Sequence, residues 1–118
     1  VSAGEQLTRP APGEHCGFAV IYRFRVRSGL EPQFIAAWER ATHAIRSLRG
    51  GLGSRLHRAA DGSLLAYAQW PSREAWERSR AAEPADREAS ALMREAIAES
   101  DPPLLLDPIS DLLVRTER

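Results

Sequence analysis

An α+β fold with strands and helices in the order β-α-β-β-α-(α)-β follows from three features of this 118-residue chain. Gly17 to Arg27 alternates, with Phe18, Val20, Tyr22, Phe24 and Val26 on one face of a strand. Glu31 to Arg49 instead repeats its apolar residues at three and four, the spacing of one helix face. Asp61-Gly62 then stands between two further strand-like runs, where a tight hairpin needs a residue that accepts positive φ.

Taken in order, residues 1–16 hold Gly4, Pro10, Pro12 and Gly13 among polar residues without any period, and read as a flexible arm. Residues 17–118 read as one domain. Ser28-Gly29 breaks the first strand. Pro32 suits the first turn of the helix that follows, which carries Phe34, Ile35, Trp38, Thr42, Ile45 and Leu48 until Gly50-Gly51 stops it. The hairpin spans Gly53 to Trp70, and its second strand is apolar at nearly every position. Pro71 cannot donate to a ladder, and Ser72 can cap a second helix running to about Ala82. Asp86 caps a third helix, expected to reach Ser100 on a stripe of Leu92, Met93, Ala96 and Ile97. After Pro102-Pro103, Leu104 to Thr116 reads as a last strand bent at Asp107-Pro108.

This order is the split βαβ arrangement of ferredoxin-like domains, a four-stranded antiparallel sheet with helices on one face. The other face would carry Ala19, Ile21, Leu65 and Tyr67, too apolar to remain wet. A second copy of the sheet is the simplest cover, so a homodimer is expected, with Arg23, Arg25 and Arg27 pairing with acids across it.

The charge balance narrows the function classes. Sixteen basic residues meet sixteen acidic ones, so no global field draws the chain to nucleic acid or to an anionic membrane. All sixteen basic residues are Arg, and the absence of Lys excludes Schiff-base chemistry and the phosphate-binding P-loop. Cys16 is the lone cysteine, which excludes an intrachain disulfide and points to a reducing, cytoplasmic setting. No apolar run is long enough to span a membrane, and the first residues lack the basic and apolar regions of a secretion signal. His15-Cys16 offers too few ligands for a metal, and Gly50-Gly51-Leu52-Gly53 follows a helix rather than a strand. No metal, flavin or nicotinamide cofactor is therefore expected.

The segments Phe18-Ala19-Val20-Ile21-Tyr22-Arg23-Phe24, Gly53-Ser54-Arg55-Leu56-His57-Arg58 and Ala66-Tyr67-Ala68-Gln69-Trp70-Pro71-Ser72, with Gly29 and Trp38, resemble the antibiotic biosynthesis monooxygenase (ABM) domain family. The resemblance covers roughly residues 17 to 115, and its best mark is a strand ending in Trp, a short turn and a helix bearing another aromatic. It implies a homodimeric α/β barrel of two facing sheets. It also implies a small cofactor-independent monooxygenase acting on an electron-rich aromatic or enolic metabolite. Trp70 matches the strand-end Trp of the family. The haem-degrading members use an Asn and an axial His; this chain has no Asn and its helix after Trp76 holds no His, and the same missing Asn removes a polar group of quinone-forming members. A non-catalytic module that binds a small apolar ligand is the alternative.

Within that frame Trp70, Trp38 and Trp76 are candidates to line a pocket for a planar substrate, or else belong to the core. Tyr22 shares the face of Phe18 and Phe24, so its hydroxyl is either satisfied in the core or aimed into the pocket. His57 is the candidate base, because an unperturbed imidazole titrates near neutrality. A two-residue turn at Asp61-Gly62 sets His57 opposite Ala66, on the Trp70 side. A three-residue turn would shift the register by one and send it to the opposite face. His43 falls on a solvated helix face.

Overall fold

The computed structural model describes residues 15–114. The alternating segment forms β1 (Phe18–Val26), and the helical repeat forms α1 (Glu31–Arg49) with the bounds its pattern predicts. Pro32 lies in the first turn of α1, and Gly50 closes it at φ 79°, a left-handed conformation that glycine adopts without strain. The hairpin comprises β2 (Ser54–Arg58) and β3 (Leu64–Trp70). Ser72 caps α2 (Arg73–Ala81) by accepting the Ala75 N–H at 3.1 Å, and Asp86 caps α3 (Arg87–Ala96) by accepting the Ala89 N–H at 2.9 Å.

Two features of the C-terminal half depart from the sequence reading. The third helix stops at Ala96, and Ile97–Ser100 is a short strand, β4. The final strand is only Leu104–Leu106, β5, and residues 107–114 form no regular element. Both pair antiparallel with the same edge of β1: Val26 lies opposite Ile97 and Phe24 opposite Ser100, while Ile21 lies opposite Leu104 and Ala19 opposite Leu106. The sheet order is β2-β3-β1-β4, with β5 also on β1, so the fourth column expected as one strand is shared by two. The unpaired edge of β1 explains the early helix end. The Arg27 N–H donates to the Ala96 carbonyl at 2.7 Å, and that edge pairing overrides a helical continuation with one fewer exposed ladder.

The hairpin also differs. The Ala59 N–H donates to the Ser63 carbonyl at 2.8 Å and the Gly62 N–H to the Ala59 carbonyl at 3.0 Å. The loop is thus the three residues Ala60, Asp61 and Gly62, with Gly62 at φ 87°, rather than a two-residue turn. Asp61 sets this geometry, its carboxylate accepting both the Ser63 N–H at 2.9 Å and the Ser63 hydroxyl at 2.6 Å. These bonds from Ser63, aided by Arg23 and Arg25, hold the Asp61 carboxyl down at about 2.

The helices pack on one face of the sheet over two apolar clusters. Phe18, Val20 and Trp70 pack with Ala75 and Trp76 of α2, and Phe34 of α1 packs with Leu64 and with Ala96 of α3. The helix-free face carries Ile21, Leu65 and Tyr67 half-buried, with Leu104 exposed at its edge. Beyond it Ile109, Leu112, Leu113 and Val114 are exposed. Arg25 pairs within its own chain, with Asp61 at 3.4 Å and Glu99 at 3.8 Å. The arm expected over residues 1–16 lies, except for His15 and Cys16, outside the described residues, as do residues 115–118. No helix among the described residues is long and apolar enough to cross a membrane.

Candidate functional site

A cavity of about 380 Å³ lies between the two apolar clusters, under the helices and over the sheet. Its origin is legible in β3. The helix-facing positions of that strand run Leu64, Ala66, Ala68, Trp70, and the two middle side chains are too small to bridge the clusters at either end. Across from them stand Tyr22 and Val20 on β1, and Leu56 and Ser54 on β2. Trp38, Thr42 and Ile45 of α1 form one wall, Trp76 and Arg80 of α2 another, and Pro84, Asp86 and Met93 bound the far end.

All three tryptophans of the chain line this space. Trp70 is 4% exposed, and the α1–β2 connection passes close to it. A Cβ built on buried Gly51 would lie 2.8 Å from Ile45 Cγ2 and 3.6 Å from Trp70 Cη2, so only glycine lets the backbone run there without displacing a wall. Trp76 is 5% exposed and packs on Phe18, with ring centroids 5.7 Å apart. The readings of these tryptophans as core and as pocket wall thus merge: each buries one part in a cluster and presents another to the cavity.

Thr42, Ser54, Gln69, Ser79 and Ser90 are the uncharged polar residues of the lining, and its ionisable groups are few. The Trp76 Nε1–H donates to the Tyr22 hydroxyl at 2.8 Å. That bond takes an acceptor site of the hydroxyl and leaves its proton available to an oxygen placed in the cavity. Burial raises the pKa of Tyr22 above the ordinary phenol value, against the opposing effects of the Trp76 bond and the Arg80 charge, so the group is a neutral donor at neutral pH. The Arg80 guanidinium lies 5.1 Å from the Trp76 ring centroid, a cation–π arrangement. Among the described residues no carboxylate pairs with Arg80. Asp86 is otherwise engaged: it caps α3 and takes Arg40 of α1 at 3.0 Å. The Ala89 N–H, helped by Arg40, holds its carboxyl below the usual range, which makes it a poor base.

The wider hairpin loop decides the position of His57. It lies opposite Leu65, not Ala66, and therefore alternates away from the face of Trp70. The expectation that His57 flanks Trp70 is corrected by this one-residue register shift. His57 is exposed, accepts a hydrogen bond from Arg55 Nε at 3.1 Å, and lines a depression at the β2 edge rather than the cavity. Tyr22, Trp70, Trp38 and Trp76 come together; His57 does not join them. Arg80 was missed by the sequence reading, although its place four residues after Trp76 on one helix puts both on the same face. Among the described residues no three His, Cys, Asp or Glu side chains converge as metal ligands would.

Residues 17–91 match the sequence model of the antibiotic biosynthesis monooxygenase family, well over half of the chain. The chain belongs to the antibiotic biosynthesis monooxygenase family. Among solved structures it is similar to Rv0793 from Mycobacterium tuberculosis, at 24% identity and a TM-score of 0.66, with 81% of this chain and 98% of that one covered. It is also similar to SnoaB, a cofactor-independent oxygenase from Streptomyces nogalater, at 20% identity and a TM-score of 0.68, covering 83% and 98% of the two chains. A conserved protein from Methanosarcina mazei Go1 shares the fold at 11% identity and a TM-score of 0.64, covering 80% and 95%. At such identities the structural likeness speaks to the ABM fold alone. No curated protein sequence matches the chain.

Proposed function

We propose that this ABM-family protein is a cofactor-independent oxygenase of an electron-rich aromatic or enolic metabolite, bound in the cavity beside Trp70. The observation that carries this reading is the cavity itself. A volume of about 380 Å³ falls in the range of small-molecule sites, and its lining is mostly aromatic and aliphatic, with the Tyr22 hydroxyl held by Trp76 and its own proton left to donate. Membership of the antibiotic biosynthesis monooxygenase family supports the reaction class.

The chemistry asks little of the protein. An acidic phenol or enol loses a proton to give an electron-rich anion. Direct reaction of its carbon with O₂ gives a peroxide, and loss of water from a C–H-bearing carbon leaves the carbonyl of a quinone. One O₂ is consumed, one oxygen atom enters the product and the other leaves as water. The site's tasks are to hold the ring, stabilise the anion and exclude bulk water. Trp70, Trp38 and Trp76 hold the ring, and Tyr22 donates to the anionic oxygen.

We further propose a homodimer that buries the helix-free face, supported by the apolar run of Ile21, Leu65, Tyr67 and Leu104 on that side. A molar mass of one chain by light scattering, independent of concentration, would refute the dimer. Oxygen uptake with a panel of anthrones and dihydroxynaphthalenes in chelator-treated buffer tests the activity. The expected result is quinone formation with one O₂ consumed per product. Saturable binding of the panel without any oxygen uptake would instead assign the chain to non-catalytic ligand binding.

A further inference from the structure

We infer that Tyr22, Trp76 and Arg80 form an anion-holding corner that selects ligands carrying a phenolate or enolate oxygen, so that the site lowers the ligand's own pKa instead of supplying a base. This rests on the reading of the cavity as a site for electron-rich aromatics, and it names how such a ligand is recognised. The cavity lining holds no free base. The ionisable side chains that line the cavity are Tyr22 from β1, Arg80 from α2 and Asp86 at the start of α3; β2, β3 and α1 contribute none. Asp86 is spent on the α3 cap and on Arg40, and Tyr22 is a neutral phenol at neutral pH. His57, the remaining candidate, lies outside. What the cavity does offer is the Arg80 guanidinium and the Tyr22 hydroxyl proton.

The geometry is specific. The indole N–H of Trp76 bonds the Tyr22 oxygen at 2.8 Å, which orients the hydroxyl, and the face of the same indole seats the Arg80 guanidinium at 5.1 Å. One side chain thus positions both the donor and the cation. Arg80 has no carboxylate partner among the described residues, so its charge is not neutralised before a ligand arrives. An opposite charge a few ångströms away moves an acid's pKa by about one to three units, and the solvent exposure of Arg80 places the effect near the low end, about tenfold in the ionisation equilibrium.

The test uses 7-hydroxycoumarin, whose neutral and anionic forms absorb at different wavelengths, with 7-methoxycoumarin as a comparator that cannot ionise. On the wild-type full chain, the bound hydroxycoumarin is expected to titrate about one unit lower than the free dye. Arg80→Gln should remove most of that shift, Arg80→Lys should restore it, and Tyr22→Phe should weaken binding of the anion more than that of the methoxy comparator. Arg80 is exposed and Gln is compatible with a helix, so these variants should remain folded, which circular dichroism checks. An unshifted dye pKa in the wild type, or equal loss of affinity for both coumarins in Arg80→Gln, would overturn the anion-holding corner while leaving the cavity a binding site. Failure of the wild type to bind either coumarin would overturn both readings.

Discussion

Replacing Ala68 by Leu should stabilise the fold and narrow the cavity beside Trp70. Ala68 faces the space beside Trp70, with Val20 and Ser54 as its cross-strand neighbours. Leu adds three methyl or methylene groups, which at about 0.8 kcal/mol each are worth up to about 2.4 kcal/mol when fully buried. Ordering the longer side chain returns about 0.5–1 kcal/mol, leaving a gain near 1.5 kcal/mol. For a domain of this size that is a rise in Tm of roughly 6 °C. A packed core would respond in the opposite direction, since overfilling typically costs about 1–3 kcal/mol. Urea and thermal unfolding at a fixed protomer concentration, required because the stability of the proposed dimer would depend on it, read the sign. A destabilised Ala68→Leu would show that the space beside Trp70 is not free in solution, and the argument from cavity to ligand would fail with it.

Two further outcomes follow from the hairpin. The Asp61 carboxyl is held at about 2, below its unfolded value of about 3.9, so its stabilising effect is complete above pH 4 and is lost as pH falls through 2. Asp61→Ala should therefore lower the urea midpoint near neutrality, with the gap to wild type closing between about pH 4 and pH 2; a gap independent of pH would remove the carboxylate from the account. His57→Ala should leave cavity binding unchanged, because the ring lies on the other side of the strand register, and a loss of hydroxycoumarin affinity in that variant would contradict the observed pairing of His57 with Leu65.

Much of the fold was legible because local chemistry and global packing agree. The period of Phe18 to Val26, the Pro32 and Gly50 boundaries of α1, and the Ser72 and Asp86 caps each rest on a few neighbouring residues. The failures share a cause. Ile97 to Ser100 continues a helical sequence without interruption, and only the open edge of β1, far away in sequence, turns it into a strand. The hairpin register hung on whether Asp61 would sit inside a two-residue turn or bind Ser63 across a three-residue loop; Asp-Gly permits both, and the Ser that follows tips the balance. For the site, the aromatic walls and the small residues at Ala66 and Ala68 could be read from alternation alone. Arg80 could not, because its value depends on the indole of Trp76 having turned its N–H toward Tyr22.

The cavity as an aromatic-binding site is the central claim, and the chain carries its own reporters. Trp38, Trp70 and Trp76 are its only tryptophans and all line the space, so three indole N–H signals in a ¹⁵N–¹H correlation spectrum report on it directly. Titration of the wild-type protein with 1-naphthol should move all three signals to saturation, and Ala68→Leu, which narrows the space, should need a higher ligand concentration for the same shifts. Indole signals that stay fixed in the wild type, or that move equally in both proteins, would contradict the claim that an aromatic ligand occupies the cavity beside Trp70.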